Sequence, residues 1–540
     1  MSPLLLLLSA CGTPEGAAGP GVVAVDLSPR EMLIRASVDL RGIHPSEADL
    51  AAYEADPTDA HYAQLIDGYL HDDRFLDRME EVWNGVLRTR TGQTYFDPNE
   101  AGLGDLDTRD VADALGEEPL QLVRYIIQND HPWTDLVLSP HTMGNSVTAA
   151  MWDQTLTGDP AGWSPATYND GRPTAGVLSS TTLWQRYPSA GSNANRHRAN
   201  NLSRMFLCDD YLTRPVEFSR SEVEATTTEE LENVIRTNPT CVGCHSSLDP
   251  LAAHFYGFWW EKDETLAART RYVPGDEGTW ASYAGRAPNY FGTPTTGLRD
   301  MAERLAADPR YIDCAVKTTF EALEQREVDD DDWTDLATFE RDFTAGGFTM
   351  RALVKSIVTS DTYKNPVDSE TRSSVKTVSP EQLRDIIVDK TGYDWTFDER
   401  PGLVTNDMGL PVLLGGTDSL YVTARNYAPS VSSMFVQERL AQAAGYRVAA
   451  SDLAGETAAN PVLLTYVKVT DTPDTNQKAF EDQIRSLYLV LTGIPLAADA
   501  EEVDECLDLW KSIFSVTSSP TSAWSGVIAA VLRDPRLLFY

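Results

Sequence analysis

Hydrophobic side chains recur every three or four residues along most of this chain, which is the period of an amphipathic α-helix. The clearest case begins at Ser28, where Ser28 and Glu31 have the spacing of a capping box and Pro29 takes the first helical position. The same periodicity predicts further helices over residues 62–70, 78–87, 120–128, 195–208, 297–305, 311–323, 331–342, 350–360 and 383–390. We therefore predict a mainly α fold.

The middle of the chain has a different pattern. Residues 160–192 are rich in Gly, Pro, Ser and Thr, which favour turns over regular structure. At 540 residues the chain also exceeds the size of a single hydrophobic core, so we expect several domains. The predicted modules are a signal and tether (1–21), an N-terminal helical module (22–150), a loop-rich central module (151–300), a helical module (301–368) and a C-terminal helical module (369–540).

The charge balance is strongly acidic, with 44 Lys and Arg against 81 Asp and Glu and a net charge of −37. Such a chain repels phosphate groups, so we expect no binding to nucleic acid and no charge-driven binding to an anionic membrane. Acidic residues are spread along the whole sequence, and the dense run at 329–332 lacks the spacing of an EF-hand. We interpret them as a solvated surface.

The strongest chemical signal is the motif Cys241-Val-Gly-Cys244-His245 in the central module. Two cysteines separated by two residues and followed directly by histidine have the spacing at which c-type haem is attached. Each thiol adds to one vinyl group of the haem, and the imidazole becomes an axial ligand of the iron. The motif therefore predicts one covalent haem c, held by Cys241 and Cys244, with His245 on the iron.

Two other interpretations of the cysteine pair stay open. The pair could be a redox dithiol, although its flanks do not show the βαβ pattern of a thioredoxin-like protein. It could also be half of a zinc site, although the sequence has no second CxxC and no HxxxH to complete one. Other catalytic signatures are absent from the sequence, including a phosphate-binding glycine loop, a GxSxG elbow and an HExxH zinc motif.

Several residues could supply the ligand on the other side of the iron. By analogy with small cytochromes c, in which a downstream methionine has this role, Met301 is the best placed. His254, His197 and Met205 are further candidates, and the position could also be open to water. The choice matters because methionine raises the reduction potential, a second histidine typically lowers it, and an open position admits peroxide or oxygen.

The N-terminus predicts export. Residues 4–8 are all leucine and run into Ser9-Ala10-Cys11, which resembles a bacterial lipoprotein signal in which Cys11 becomes lipidated. The usual basic n-region is missing, and a start further upstream would supply it. No later stretch is apolar enough to span a bilayer. We therefore expect a periplasmic or outer-membrane lipoprotein, with exposure at the cell surface left open, that contacts the membrane through its lipid alone.

Three cysteines lie outside the motif and the signal. In an oxidising compartment Cys208 and Cys314 are candidates for a disulfide, which would leave Cys506 as a buried free thiol. Export is also what the haem motif requires, because c-type attachment resembles a process completed outside the cytoplasm. The two signals agree on the cell envelope.

These segments resemble the cytochrome-associated families of unknown function that are abundant in planctomycetes and myxobacteria. Residues 34–79 resemble their N-terminal helical module, residues 175–208 with 238–258 their haem module, and residues 311–363 the module that follows. Ala252 departs from the glycine that is usual after Asp-Pro-Leu in that pattern. The resemblance implies an exported or lipid-anchored haem protein and implies no particular reaction.

Three functions are compatible with these features. The leading hypothesis is a one-haem electron-transfer protein of the cell envelope that exchanges electrons with a redox partner protein. A chain of 540 residues is large for carrying one electron, which favours as an alternative a haem-dependent oxidoreductase acting on an envelope glycan or on peroxide. The third hypothesis is a helical binding or assembly scaffold in which the haem is structural.

Overall fold

The computed structural model describes residues 23–94, 96–189, 193–215, 227–258, 272–283, 285–369, 372–405, 408–454 and 461–540. Within these residues the protein is mainly α-helical, which confirms the predicted fold class. No helix in this part of the chain is both long enough and apolar enough to cross a membrane. The expected lipidation site Cys11 and the tether around it lie outside the described residues.

The helices of the first part of the chain are α1 (Pro29–Arg41), α2 (Glu47–Ala55), α3 (Asp59–Leu70), α4 (Asp73–Leu87), α5 (Thr108–Gln128), α6 (Asp135–Leu138), α7 (Ser146–Trp152), α8 (Thr181–Arg186) and α9 (Arg196–Leu207). Those of the middle part are α10 (Thr228–Thr237), α11 (Pro239–Ala252), α12 (Trp280–Tyr283), α13 (Leu298–Ala306), α14 (Pro309–Glu324), α15 (Trp333–Ala345), α16 (Met350–Val358) and α17 (Asp361–Lys364). The last part contains α18 (Pro380–Thr391), α19 (Leu410–Leu413), α20 (Val431–Asp452), α21 (Pro473–Thr492), α22 (Glu501–Thr517) and α23 (Pro520–Val531).

The strands are short, and all of their pairings are antiparallel. The three-stranded sheet has the order β2-β4-β3, from β2 (Thr142–Gly144), β4 (Ser164–Tyr168) and β3 (Gln154–Leu156). The two-stranded pairs are β1 (Val23–Ala24) with β7 (Val367–Asp368), β5 (Asn289–Tyr290) with β6 (Thr293–Pro294), and β8 (Thr396–Phe397) with β9 (Arg400–Pro401). Part of the segment predicted as long loops is therefore the central strand of a small sheet.

The helix α5 shows where local signals mislead. The pattern predicts a helix from residue 120, after Pro119, but the helix begins at Thr108, capped by Asp107, and continues through the proline. A proline inside a helix removes one backbone hydrogen bond. Buried leucines on both sides of it, such as Leu115 and Leu120, pack into the hydrophobic interior and hold the helix together. Tertiary packing outweighs the local penalty here.

The hydrophobic core is continuous over most of the described chain. It includes Leu33 near one end of the sequence and Leu537 near the other, with members from each of the predicted helical modules. Trp83 of α4 packs against Trp133 with ring centroids 4.4 Å apart. A smaller separate cluster surrounds Trp152. Most of the helices thus pack around one interior, and several charged side chains are buried as well.

Glu118 of α5 is one of these buried charges and joins the sheet to the helices. Its Oε1 accepts hydrogen bonds from the hydroxyls of Thr142, at 3.1 Å, and Tyr168. Its Oε2 accepts from Ser180 and Thr182, each at 3.1 Å. Burial raises the pKa of this carboxyl. The residues around β4 and α8 are therefore fixed to α5 by hydrogen bonds to a single side chain.

Asp39 of α1 is a second buried charged residue, and its hydrogen bonds connect parts of the chain that are far apart in sequence. It is 3% exposed, and its Oδ2 accepts hydrogen bonds from Lys376 at 2.7 Å and from Tyr363 at 2.5 Å. Its Oδ1 accepts from Tyr540, the last residue, at 2.7 Å. Lys376 itself is 1% exposed. A buried carboxylate requires such partners because each unpaired charge would lose its hydration without compensation.

We expect Lys376→Met to lower the free energy of unfolding by about 3–5 kcal/mol, because the Asp39 carboxylate would stay buried without its cation. The measurement is the shift of the urea denaturation midpoint followed by circular dichroism. The matched control is Lys478→Met, since Lys478 is 82% exposed and its ion pair with Asp482 lies on the surface. That control should leave the midpoint almost unchanged, because solvent screens an exposed ion pair. Equal shifts in the two variants would contradict a structural role for the buried pair.

Candidate functional site

The cysteine and histidine motif lies on α11, and its three reactive side chains share one side of this helix. Asn238 caps the helix by accepting a hydrogen bond from a first-turn amide, and Pro239 occupies the first helical position. Cys244 and His245 follow Cys241 by three and four residues, and residues with this spacing lie on the same face of an α-helix. The helix therefore gathers both thiols and the imidazole on one face.

A buried carboxylate orients the His245 imidazole. The ring nitrogen Nδ1 lies 2.8 Å from Oδ1 of Asp249, which is one helical turn further along α11. Asp249 is fully buried, whereas the His245 side chain is 22% exposed. Among the described residues, no hydrogen bond reaches Nε2 of His245. The ring therefore presents Nε2, which is the nitrogen available to a metal when Nδ1 donates to a carboxylate.

Arg196 of α9 holds Asp249 in place. Its Nε donates to Oδ1 at 2.7 Å, and its Nη2 donates to Oδ2 at 3.2 Å. The same Nη2 also donates to Glu232 of α10 at 3.0 Å, so the Arg196 guanidinium joins α9 to both α10 and α11. Burial works against ionisation of Asp249, but the hydrogen bonds from His245 and Arg196 hold the pKa of the carboxyl below its usual range. Asp249 is therefore an anion at neutral pH.

The two motif thiols are not bonded to each other. Cys241 is buried, and Cys244 is half-buried and packs against the hydrophobic core. Burial raises the pKa of the Cys241 thiol. A reactive redox cysteine has instead a lowered pKa, so this environment does not favour the redox dithiol interpretation.

The described residues contain no group of three or more His, Cys, Asp or Glu side chains arranged to hold a metal ion. A haem iron does not need such a group, since the protein supplies only its axial ligands.

The candidates for the second axial ligand have other contacts. His254 uses both ring nitrogens, with Nδ1 2.9 Å from the Leu251 carbonyl oxygen and Nε2 2.6 Å from Thr295 Oγ1. Burial lowers the pKa of His254 to about 4, so this ring is neutral at pH 7. Nδ1 of His197 lies 3.0 Å from a backbone oxygen. Met301 of α13 and Met205 of α9 are buried in the core. No hydrogen bond or ring contact within the described residues joins these four side chains to His245.

Cys208 and Cys314, the pair named as a candidate disulfide, are bonded in the structure with Cα atoms 5.3 Å apart. Cys208 is the C-cap of α9, and Cys314 lies on α14. The bond therefore fixes the helix that carries Arg196 against α14. Cys506 is buried as a free thiol, and burial raises its pKa to about 11.

The charged residues that orient His245 were not recognised from the sequence. Asp249 follows His245 by four residues, which is the spacing of two neighbours on one helix face, so a helical prediction for this segment would have indicated the pair. Arg196 and Glu232 offer no such signal, because Arg196 reaches Asp249 from α9, and Glu232 of α10 contacts Arg196 and not Asp249.

Loss of the Cys208–Cys314 bond should destabilise the protein by about 2–5 kcal/mol, because the bond closes a loop between residues 106 positions apart and restricts the unfolded chain. The test compares the thermal denaturation midpoint of the protein with that of a variant carrying Cys208→Ser and Cys314→Ser. A Cys506→Ser variant is the control, since it removes a thiol without removing a crosslink. The prediction is wrong if the double variant unfolds at the midpoint of the unchanged protein.

The N-terminal part of the chain matches a known family. Residues 22–106 match the model of PSCyt2, a protein of unknown function (DUF1549). No curated protein and no solved structure matches the chain. The matched residues include α1 to α4 and do not reach the motif on α11. The N-terminal module is therefore similar to a family of unknown function, as the sequence indicated, and the match does not extend to the central module with the motif.

Proposed function

We propose that this protein is a mono-haem c-type cytochrome-like protein that transfers electrons in the cell envelope. In this proposal Cys241 and Cys244 hold the haem through thioether bonds, and Nε2 of His245 binds its iron. The observation that carries the proposal is the presence of two free thiols and a carboxylate-oriented imidazole on one face of α11.

The residues at this site fit a c-type haem. Apart from its chain neighbours and the backbone of its own helix, no described atom lies within 4 Å of the position that a Cβ on Gly243 would occupy, so the backbone between the cysteines is open on that side. A glycine there lets a flat macrocycle approach the backbone closely. His245 offers one ring nitrogen while the other is already engaged. When bound, the haem supplies reversible one-electron exchange at its iron.

Asp249 acts on the iron ligand through the imidazole and not by direct contact. Its carboxylate accepts the Nδ1 proton of His245, which selects one tautomer and makes the ring a more basic ligand. Arg196 keeps the carboxylate in position through two hydrogen bonds. A more basic axial ligand stabilises the oxidised iron, so these residues would lower the reduction potential. The buried ion pair thus both positions the ligand and tunes it.

Three features support a location in the cell envelope. The Cys208–Cys314 disulfide is typical of an oxidising compartment. The leucine run before Cys11 resembles a lipoprotein signal, and c-type attachment requires export. In this proposal Cys11 is lipidated, and the haem exchanges electrons with a redox partner protein of the envelope.

A haem-dependent oxidoreductase acting on an envelope glycan or on peroxide is the second candidate. The observation that favours it is that both ring nitrogens of His254 are engaged and that Met301 is packed in the core. If these contacts persist in the haem-bound protein, the far side of the iron stays open to a small molecule.

The first prediction concerns haem itself. Exported in a host that matures c-type haem, the protein should show a sharp reduced-minus-oxidised absorption band that survives denaturation, because thioether bonds are covalent. Cys244→Ala should weaken or abolish the band, whereas Cys506→Ala should leave it intact. Absence of haem from the protein in a host that matures other cytochromes would contradict the proposal. Binding of carbon monoxide to the reduced protein would favour the oxidoreductase, and its absence would favour the electron carrier.

The second prediction concerns Asp249. Asp249→Asn should raise the midpoint potential of the haem, because a neutral amide is a weaker acceptor for the His245 Nδ1 proton and leaves the ring less basic. The measurement is a potentiometric titration followed by the absorption band. Glu232→Gln is the matched control, since Glu232 contacts Arg196 at 3.0 Å but has no contact with His245 among the described residues. A potential that moves equally in both variants would contradict a direct role of Asp249.

A further inference from the structure

A polar cavity of about 210 Å³ lies between α4 and the beginning of α18, far along the sequence from the haem motif. Its lining includes three arginines, two glutamates and the hydroxyl groups of several Ser and Thr residues. The arginines and glutamates are Arg78, Arg90, Arg425, Glu81 and Glu381. The charged groups that line this cavity are therefore net positive in a protein whose net charge is −37.

Two of these arginines are paired within the protein. Arg78 is bonded to Glu81, and Arg90 is bonded to Glu117 at 2.5 Å and to Glu80 at 3.2 Å. Burial lowers the pKa of Arg78, and the positive charge of Arg425 lowers it further. The positive charges of Arg78 and Arg425 therefore repel each other. An anion bound near both would relieve that repulsion.

Arg425 has hydrogen-bonding capacity that the protein does not use. Its Nη2 donates to the Thr377 carbonyl oxygen at 3.2 Å, and its guanidinium lies 4.8 Å from the Tyr427 ring centroid. Its Nε is buried and has no hydrogen-bond partner among the described residues. A buried N–H without a protein acceptor is costly, so an acceptor that binds beside the Arg425 guanidinium would be favoured.

A carboxylate and two hydroxyl groups that line the same cavity make no hydrogen bond within the described protein and can therefore bind a ligand. Glu381, the second residue of α18, makes no hydrogen bond or ion pair with any other described residue, and the side chains of Thr417 and Thr423 make none either. A carboxylate and hydroxyls placed around arginines can bind a ligand that carries several hydroxyl groups as well as a negative charge.

A second cavity of about 340 Å³ shares Glu81, Arg90 and Glu381 with the first. The charged residues in the rest of its lining are four acids, Asp77, Glu80, Asp113 and Glu117, and one arginine, Arg384. Burial and the charge of Glu117 raise the pKa of Glu80 to about 7, so this part of the cleft disfavours further negative charge. An anionic group would therefore bind in the first cavity, and a neutral part of the same ligand could extend into the second.

We propose that the two cavities bind the acidic end of a glycan, with a sugar carboxylate at Arg425 and Arg78 and sugar hydroxyls at Glu381, Thr417 and Thr423. The proposal does not depend on haem. The ligand class follows from the groups that the cavity offers, which are an arginine donor at Arg425, the Glu381 carboxylate and the Thr417 and Thr423 hydroxyls. An uncharged sugar has no anionic group to bind Arg425, and a simple acid has no hydroxyl groups to bind Glu381 and the threonines.

The test is titration calorimetry of the full chain with D-glucuronate, with D-glucose and acetate as comparison ligands. Glucuronate should bind at millimolar concentrations or below, and the other two should bind at least about tenfold more weakly, since each lacks one set of partners. Arg425→Gln should weaken glucuronate binding by at least about tenfold. The matched control is Arg439→Gln, because Arg439 is exposed on α20 and does not line the cavity; its affinity should be unchanged.

Three results would overturn the proposal: no binding of glucuronate at millimolar concentration, equal binding of glucose or acetate, or unchanged affinity in Arg425→Gln. If Arg425→Gln does not fold, Thr423→Val decides in its place, because the Thr423 hydroxyl makes no hydrogen bond within the described protein and the change alters no charge. That variant should also bind glucuronate more weakly, and an unchanged affinity would reject the site.

Discussion

The burial of Asp39 imposes the strongest constraint on how this chain closes. A carboxylate in the interior must be neutralised and hydrogen-bonded, or its lost hydration destabilises the fold. Asp39 meets this requirement with Lys376, Tyr363 and Tyr540, which come from distant parts of the sequence. Through this side chain, α1 is hydrogen-bonded to α17, to the segment before α18 and to Tyr540. The continuous hydrophobic core is consistent with this arrangement.

The same arrangement recurs at the motif on α11, where it orients a reactive side chain. Asp249 is buried, and Arg196 neutralises it, so the carboxylate can orient His245 without being solvated. In the cavity between α4 and α18, charged groups are only partly hydrogen-bonded, because Arg425 and Glu381 keep unused hydrogen-bonding capacity. The fully paired charges orient the imidazole that would bind the proposed haem iron, and the partly paired charges line the cavity that we propose binds a ligand from solution.

Much of the helical content was predictable from local signals. The capping box at Ser28 marks the start of α1, and the predicted helix over 195–208 corresponds to α9. Local signals failed where packing outweighed them, as at Pro119, which lies inside α5 and not before it. The small sheet was also missed, because β4 depends on pairing with two other strands and has little pattern of its own.

The sequence by itself determined the chemistry that can be offered at the candidate site, because the spacing of Cys241, Cys244 and His245 is a local property that a single helix turns into one reactive face. Only the tertiary structure decided how that histidine is held. Its orientation depends on a charge pair between Asp249 and Arg196, and residues on different helices meet through packing, which no local spacing encodes. The cleft lined by Arg425 was undetectable for the same reason.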